Sequence, residues 1–501
     1  MNISDRLDLA RGKDLTLGLL LERSAEIYGD RRLVEEADTG FTLTAVQAAD
    51  LVDRWAGAIA AETQPGDRVV LATANSYQQF LLTAAAARAG RLAAPVNSHM
   101  AQGEIDHVIA DSGAAMSITD PDDLDTSKPH GPAVATTPRE VAALFYTSGT
   151  TGKPKGARLT HASLFGGYPL TALLPRRTGR DEAVLGLPVA HIYGFTMLVA
   201  GACGGIPLYF FSKFNPVKAM DAIEQRASTI FAGVPAMYRM MLEAGAAERD
   251  LSSIRLWISG ADAMPPELAA RFKKFGSTIK LPVLGSVGEA TFAEGYGMVE
   301  TGGGVAIKIS PPLLPTNVGG MGIPLPGNKF KVVDEHDNEV PRGKVGELLL
   351  KGPGVLKGYH GAPEATAEAL TPDGWLRTGD LARRGAGGLV TFEGRQKDVI
   401  KRGGYSVYAV EVEQTVEDHP DIVEAAVVAM ADARDGEVPV AVLDLREGVS
   451  LDEDELSAWC RERLSAYKVP ARFIEIDEFP RTGTDKIQRK AVTEYVRQTI
   501  G

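Results

Sequence analysis

Cysteine is nearly absent: Cys203 and Cys460 are the only two in 501 residues. Two thiols make neither a disulfide framework nor a cysteine-based metal cluster. Both stand among apolar neighbours, where a thiol behaves as a small hydrophobe. Apolar runs of roughly 18 residues, the length that spans a bilayer, are also missing, and the stretch Met1–Arg6 has no signal-peptide core. Positive charge is in deficit, with 53 Lys and Arg against 65 Asp and Glu, a net −12. That balance disfavours a general binder of nucleic acid or of anionic membranes, so any anion must be held locally. These absences describe a soluble protein of a reducing cytoplasm with no integral membrane segment.

What is present is a globular composition, 44% hydrophobic and 24% charged, with 54 glycines and 29 prolines. Normal apolar content beside so much glycine and proline points to tight turns and backbone-lined sites. The length exceeds one domain of about 100–200 residues. Along the first 120 residues helix and strand signals alternate. Thr44 with Gln47 and Ser76 with Gln79 have capping-box spacing, and Leu51, Trp55 and Ile59 recur on one helical face. Val69–Leu71 and the run Leu92–Val96 are β-prone, which predicts βαβ units and a helix-covered sheet. Similar runs follow at Thr229–Val234, Arg255–Ser259 and Val283–Leu284. Between Gly319 and Tyr359, short β-prone runs (Lys329–Val333, Glu347–Lys351) separated by Pro/Gly turns predict a small antiparallel barrel or sheet. From about Val399 a separate unit begins, with strands at Val423–Ala429 and Val438–Leu443. Ser450 with Glu453 has capping-box spacing there, ahead of an apolar stripe of Leu456, Trp459, Cys460 and Leu464.

The most informative stretch is Tyr146-Thr147-Ser148-Gly149-Thr150-Thr151-Gly152-Lys153-Pro154-Lys155-Gly156. A bulky strand, Val141–Phe145, feeds a loop of hydroxyls, glycines and lysines whose backbone N–H groups can close on an anion. The spacing is not that of a Walker loop, because only two residues separate Gly149 from Gly152. This string closely resembles the phosphate-loop signature of the adenylate-forming superfamily, the acyl-CoA synthetases, peptide-synthetase adenylation domains and luciferases. Further motifs follow in that family's order. They are Pro188-Val189-Ala190-His191-Ile192-Tyr193-Gly194, Tyr296-Gly297-Met298-Val299-Glu300-Thr301, Trp375 to Asp380, Gly394 to Gly404, and Pro480 to Arg489.

The resemblance implies an α/β protein. Its large N-terminal domain of helix-covered sheets, with a small β-barrel-like subdomain, spans residues 1–396. A small mobile α+β domain spans 397–501, with the hinge at Lys397. It implies ATP, Mg²⁺ and CoA as cofactors and co-substrate. Thr147, Ser148, Gly149, Thr150, Thr151 and Lys155 would hold phosphates, and Gly260, Ala261, Tyr296 and Gly297 the nucleotide. Asp380 would accept the ribose hydroxyls, with Arg395 beside it. Glu300 would supply a hard oxygen to Mg²⁺, and His191 would border the acyl pocket. Lys486 would neutralise charge as a carboxylate attacks the α-phosphate, while Lys401, Gly403 and Gly404 would serve thiol transfer. Taken alone, His191 is a core histidine, Asp380 a turn aspartate and Lys486 a surface lysine. Only the resemblance gives them these roles. Three positions depart from the pattern: Val299 stands for a common threonine, Asp485 for a glycine, and Tyr408-Ala409-Val410 lacks a proline.

The segments Ile192–Phe195, Phe210–Phe214 and Val234–Met241 are mainly apolar and aromatic, with only Lys213 and Arg239 basic. They favour a hydrophobic monocarboxylic acid over an amino acid or a dicarboxylate. The expected acceptor is free CoA, since no carrier-attachment segment and no insertion before the hinge stand in the chain. The alternatives are an acyl-AMP ligase loading a carrier protein, and a nucleotide-binding homologue without activity. The joint presence of Lys401, Lys486, Glu300 and Asp380 argues against the latter.

Overall fold

The computed structural model describes residues 3–97, 100–147, 154–174, 181–281, 285–314, 320–385, 388–403, 405–432, 434–450, 452–481 and 486–500. The β-run at Val283–Leu284 therefore lies outside the described residues. By contact the chain divides into two compact units, residues 1–329 with 350–376, and residues 330–349 with 377–501.

The first unit carries a nine-stranded and a five-stranded sheet. In the nine-stranded sheet the strands Thr291–Met298, Leu256–Gly260, Ile230–Gly233, Ala183–Leu185, Leu208–Phe210 and Arg32–Glu36 run parallel in that spatial order. Gly303–Ser310 with Ile323–Pro324 at one margin, and Thr42–Thr44 at the other, are antiparallel. The five-stranded sheet runs Met116–Ile118, Arg68–Leu71, Leu92–Pro95, Val141–Thr147 and Lys155–Thr160, with only the last strand antiparallel. Parallel strands are covered on both faces by crossover helices, so their residues are apolar without alternation. Val69, Val70 and Leu71 are accordingly all 0% exposed. Against one face of the larger sheet pack Phe231, Tyr238, Trp257, Phe272 and Phe292. Their ring centroids lie 4.8 Å apart for Tyr238–Phe272 and 5.1 Å for Trp257–Phe272, edge-on, the arrangement the ring quadrupole favours.

The second unit holds a four-stranded sheet, Lys329–Val333, Val345–Lys351, Leu376–Arg384 and Val390–Arg395, where the barrel or sheet was expected. It also holds a five-stranded sheet built on the long hairpin Ile422–Asp432 and Gly436–Leu445. Successive residues of that hairpin serve opposite cores. Ala425, Val427, Ala441 and Leu443 join Val412, Leu456 and Cys460, while Ala426, Val428, Val440 and Val442 join Val492 and Val496. Cys460 is thus a core side chain, as its stripe suggests, and Cys203 is fully buried in the first unit.

The three capping-box spacings fare differently. Thr44 and Gln47 form the reciprocal box at the head of helix Ala45–Glu62. Ser76 precedes helix Tyr77–Arg88 without a side-chain cap. Gln79 turns inward to donate to the carbonyls of Leu71 (3.1 Å) and Val96 (3.0 Å). The cap comes instead from a distant strand: Glu36 Oε1 accepts the Tyr77 N–H at 2.7 Å. The third helix starts two residues later than Ser450 implies, at Glu453, because Asp452 accepts the Glu455 N–H at 3.0 Å.

Glu36 is buried, which raises its pKa despite the bonds from Tyr77 N–H and Thr39 Oγ1. The helix N-terminus is thus served by a hydrogen bond to a buried carboxyl oxygen. Glu36→Ala should lower stability by about 1–2 kcal/mol, as for loss of a helix cap and a buried partner, while Glu36→Gln should retain most of it. Thermal unfolding of the two variants checks the difference.

Candidate active site

Ligands of parallel α/β sheets lie outside the carboxyl ends of the strands, and the first unit sets its chemistry-bearing residues there. Leu187 to His191 follow the strand Ala183–Leu185, Val234 follows Ile230–Gly233, Ala261 follows Leu256–Gly260, and Glu300 follows Thr291–Met298. Because these strands are parallel, their ends share one margin of the sheet.

His191 caps the N-terminus of helix Ile192–Gly204. Its Nδ1 accepts the Tyr193 N–H at 3.3 Å, which leaves the proton of the neutral ring on Nε2. The Pro188-x-x-His191-x-x-Gly194 pattern has a packing cause, because a Cβ on Gly194 would lie 2.1 Å from the Pro188 carbonyl oxygen. Tyr193 reaches over the strand ends, with its hydroxyl 3.4 Å from the carbonyls of both Gly233 and Ile258. Burial raises its pKa, so the phenol stays neutral. Tyr193 also belongs to a cluster with Leu187, Met197, Phe214, Val234, Ala236, Met237 and Ala261. All three expected apolar segments contribute to it. Lys213 is exposed instead.

Ala261 adopts φ +70°, in the left-handed region that non-glycine residues rarely enter. Such strain persists where surrounding structure enforces it, commonly at ligand sites. Gly260 pairs with Gly295 on the neighbouring strand, so Ala261 leaves the sheet next to Tyr296, which continues its own strand and pairs with Ala306. Between Tyr296 and Gly297 the register against Gly303–Ser310 shifts. A bulge of this kind re-aims side chains, and it needs Gly297, whose Cβ would lie 2.0 Å from the Gly303 carbonyl oxygen. The turn Val299–Thr301 follows. Thr301 Oγ1 closes it on the Met298 N–H (3.0 Å) and the Gly303 carbonyl (2.7 Å). A hydroxyl at Val299 is therefore not what holds this turn.

Thr147 ends its strand opposite Lys155. Between them, Ser148, Gly149, Thr150 and Thr151 lie outside the described residues. The returning chain is held by His107, whose Nε2 lies 3.0 Å from the Pro154 carbonyl. Lys155 Nζ lies 5.8 Å from the centroid of the Tyr359 ring, and the Tyr359 hydroxyl donates to Glu300 Oε1 at 2.8 Å. The loop lysine and the turn carboxylate thus meet around one phenol that the motifs had not indicated. The sequence signal was slight: a Gly358-Tyr359 pair inside a Gly/Pro-rich stretch.

The second unit collects the other residues. Asp380 and Arg395 are register partners on adjacent antiparallel strands, with Arg395 Nε 3.3 Å from Asp380 Oδ1. Asp380 is only 3% exposed, and its N–H bonds Thr378 Oγ1 (3.0 Å), which itself donates to the Leu348 carbonyl (2.7 Å). Lys397 is exposed in the turn Gln396–Asp398 between the two sheets. Lys401 and Gly403 belong to the hairpin of Val399–Arg402 and Tyr405–Tyr408. Lys401 Nζ donates to Ser406 Oγ at 2.8 Å, and a Cβ on Gly403 would meet nothing within 4 Å. Gly404 lies outside the described residues. Ala409 is buried at the first position of helix Ala409–Glu417. Lys486 is half-buried beside the bridge pairing Arg481 with Ile487. Asp485 is outside the described residues.

The model of the AMP-binding enzyme family matches residues 21–360, and that of the AMP-binding enzyme C-terminal domain matches residues 411–486. The chain belongs to the AMP-binding enzymes. A feruloyl-CoA synthase of Amycolatopsis sp. is 33% identical over 476 residues, 90% of this chain and 94% of that one. A fatty acid–[acyl-carrier-protein] ligase, ScoC of Streptomyces coeruleorubidus, is 32% identical over 91% of this chain and 92% of its own. The ATP-bound crystal structure of MatB from Rhodopseudomonas palustris superposes with a TM-score of 0.83 at 27% identity, covering 97% of this chain and 100% of that one. As an AMP-binding enzyme the chain is an adenylate-forming acid–thiol ligase of the acyl-CoA synthetase type. No helix among the described residues is long and apolar enough to cross a membrane.

In this AMP-binding enzyme a Cβ placed on Gly260 would lie 3.1 Å from the Tyr193 ring. Gly260→Val should therefore crowd the apolar cluster and raise KM for the acid by roughly 10-fold or more, the scale for a misfit of about one methylene. Steady-state kinetics with acid and ATP varied separately would show it.

Proposed function

We propose that the protein activates a hydrophobic monocarboxylic acid with Mg-ATP and passes the acyl group to CoA. The observation that carries the substrate class is the packing of all three apolar segments into one cluster at the strand ends. It brings Tyr193, Phe214, Val234, Ala236 and Met237 of the three apolar segments together, while Lys213 is exposed. Tyr193 adds a neutral phenol.

In the first half-reaction a carboxylate oxygen attacks the α-phosphorus of ATP. The bond to pyrophosphate breaks and acyl-AMP forms. In the second, the CoA sulfur attacks the acyl carbon, its proton leaves to solvent, and AMP departs with the bridging oxygen. Lys486 offsets charge at the α-phosphate in the first step. Lys401 and Gly403, with Gly404, serve the second, and the turn of Lys397 supplies the hinge between the segments 1–396 and 397–501. That turn falls between the residues matched by the two family models. Asp380 and Arg395 bind ribose, Tyr296 faces adenine, and His191, held as a helix cap, borders the acyl group.

Glu300 suits a magnesium ion. One of its oxygens is tied by Tyr359 and the other has no hydrogen bond among the described residues. Those residues contain no cluster of three or more ligating side chains, and Mg²⁺ typically takes one or two carboxylates plus substrate phosphates. Bound there, the ion would neutralise the phosphate chain.

A carrier-protein thiol as acceptor is the second reading, favoured by the likeness to the acyl-carrier-protein ligase. The test is acid-dependent ATP–pyrophosphate exchange over a panel of apolar acids, with thioester formation measured using CoA and, separately, a carrier protein. Lys486→Ala should reduce adenylation by roughly 10²-fold or more while sparing transfer from supplied acyl-AMP. Lys401→Ala should show the reverse. Turnover confined to amino acids or dicarboxylates, or equal loss of both steps in both variants, would overturn the assignment.

A further inference from the structure

The segment 354–360 is fastened on both sides. Toward the Glu300 turn, the Leu356 N–H donates to the Glu300 carbonyl at 2.9 Å. Toward the strand that returns from the phosphate loop, Ala157 and Tyr359 form an antiparallel bridge, and the His360 N–H donates to the Gly156 carbonyl at 2.8 Å. The Tyr359 N–H is itself bonded to Thr366 Oγ1 at 2.8 Å. A backbone fixed at this many points leaves the phenol little freedom. Its hydroxyl meets Glu300 Oε1 at 2.8 Å while its ring lies under Lys155 Nζ. A phenol is neutral at ordinary pH, so the hydroxyl can donate to the carboxylate.

Two opposite charges thus flank one neutral side chain without pairing. No carboxylate bonds Lys155 among the described residues, and Glu300 keeps one oxygen open. An ammonium close to a carboxylate ordinarily pairs with it, and a paired lysine and glutamate would each be less available to phosphate and cation.

We propose that Tyr359 is a positioning residue: it orients Glu300 toward the cation and holds Lys155 apart from it, so that both charges are kept for the metal–triphosphate. The proposal rests on the reading of Glu300 as the magnesium ligand, and the experiment separates the two. Mn²⁺ is titrated by electron paramagnetic resonance into the full-length protein with an ATP analogue carrying a methylene between the α- and β-phosphorus. Tyr359→Phe keeps the ring and removes the hydroxyl. It should weaken Mn²⁺ by roughly 10-fold, as for other second-layer partners of a metal ligand, with the acid KM and the melting temperature unchanged. Glu300→Gln should weaken Mn²⁺ at least as much. If Glu300→Gln weakens the metal and Tyr359→Phe does not, the positioning role is wrong and the metal reading stands. If neither does, both are wrong. Tyr359→Leu also removes the ring, letting Lys155 fall onto Glu300. It should weaken the metal-free analogue several-fold beyond Tyr359→Phe, and equal affinity in the two variants would overturn the separation of charges.

Discussion

A protein of net charge −12 that binds a triphosphate works against its own field, so its few local charges must be aimed and kept apart. Around Glu300 this is done by one neutral phenol bonded to the carboxylate and lying beneath the loop lysine. The surrounding backbone supports that contact. Strand ends set the turn Val299–Thr301 beside the bulge at Tyr296, Thr301 closes the turn, and the segment 354–360 bonds both the turn and the returning strand.

Ala261 links the apolar cluster to the strand that carries Tyr296. It belongs to the cluster with Tyr193 and Val234, and it follows the residue that pairs with Gly295, one place before Tyr296. Its left-handed backbone marks the corner where the chain leaves the sheet. Tyr193 and His191 come from the first turn of one helix, so a single short motif supplies both a member of the apolar cluster and a histidine whose Nδ1 is held as the helix cap.

Where the sequence was read well, the determining interactions are local. Thr44 and Gln47 cap their own helix. The hairpin strand reads as a continuous apolar run over Ala425–Ala429 because two cores lie on its opposite faces. The motifs also carry their own geometry, as Gly194 and Gly297 show through close backbone approach. Where the reading failed, a distant group had replaced the local one. Glu36 took the place of Ser76, reaching the Tyr77 N–H from 41 residues away, which freed Gln79 for two carbonyls in the interior. Tyr359 escaped notice for the same reason, since its partner Glu300 is 59 residues distant and no periodicity links the two. The Ser450 spacing was a competitor of the same type that lost to a nearer aspartate, Asp452.

Every later step depends on a carboxylate, not water or a thiol, attacking the α-phosphorus of ATP. Supplying an apolar acid with both carboxylate oxygens labelled with ¹⁸O, together with Mg-ATP and CoA, tests it most directly. The AMP released should carry one ¹⁸O atom per thioester formed, as read by mass spectrometry. Unlabelled AMP, or label recovered in orthophosphate with ADP as the nucleotide product, would contradict it.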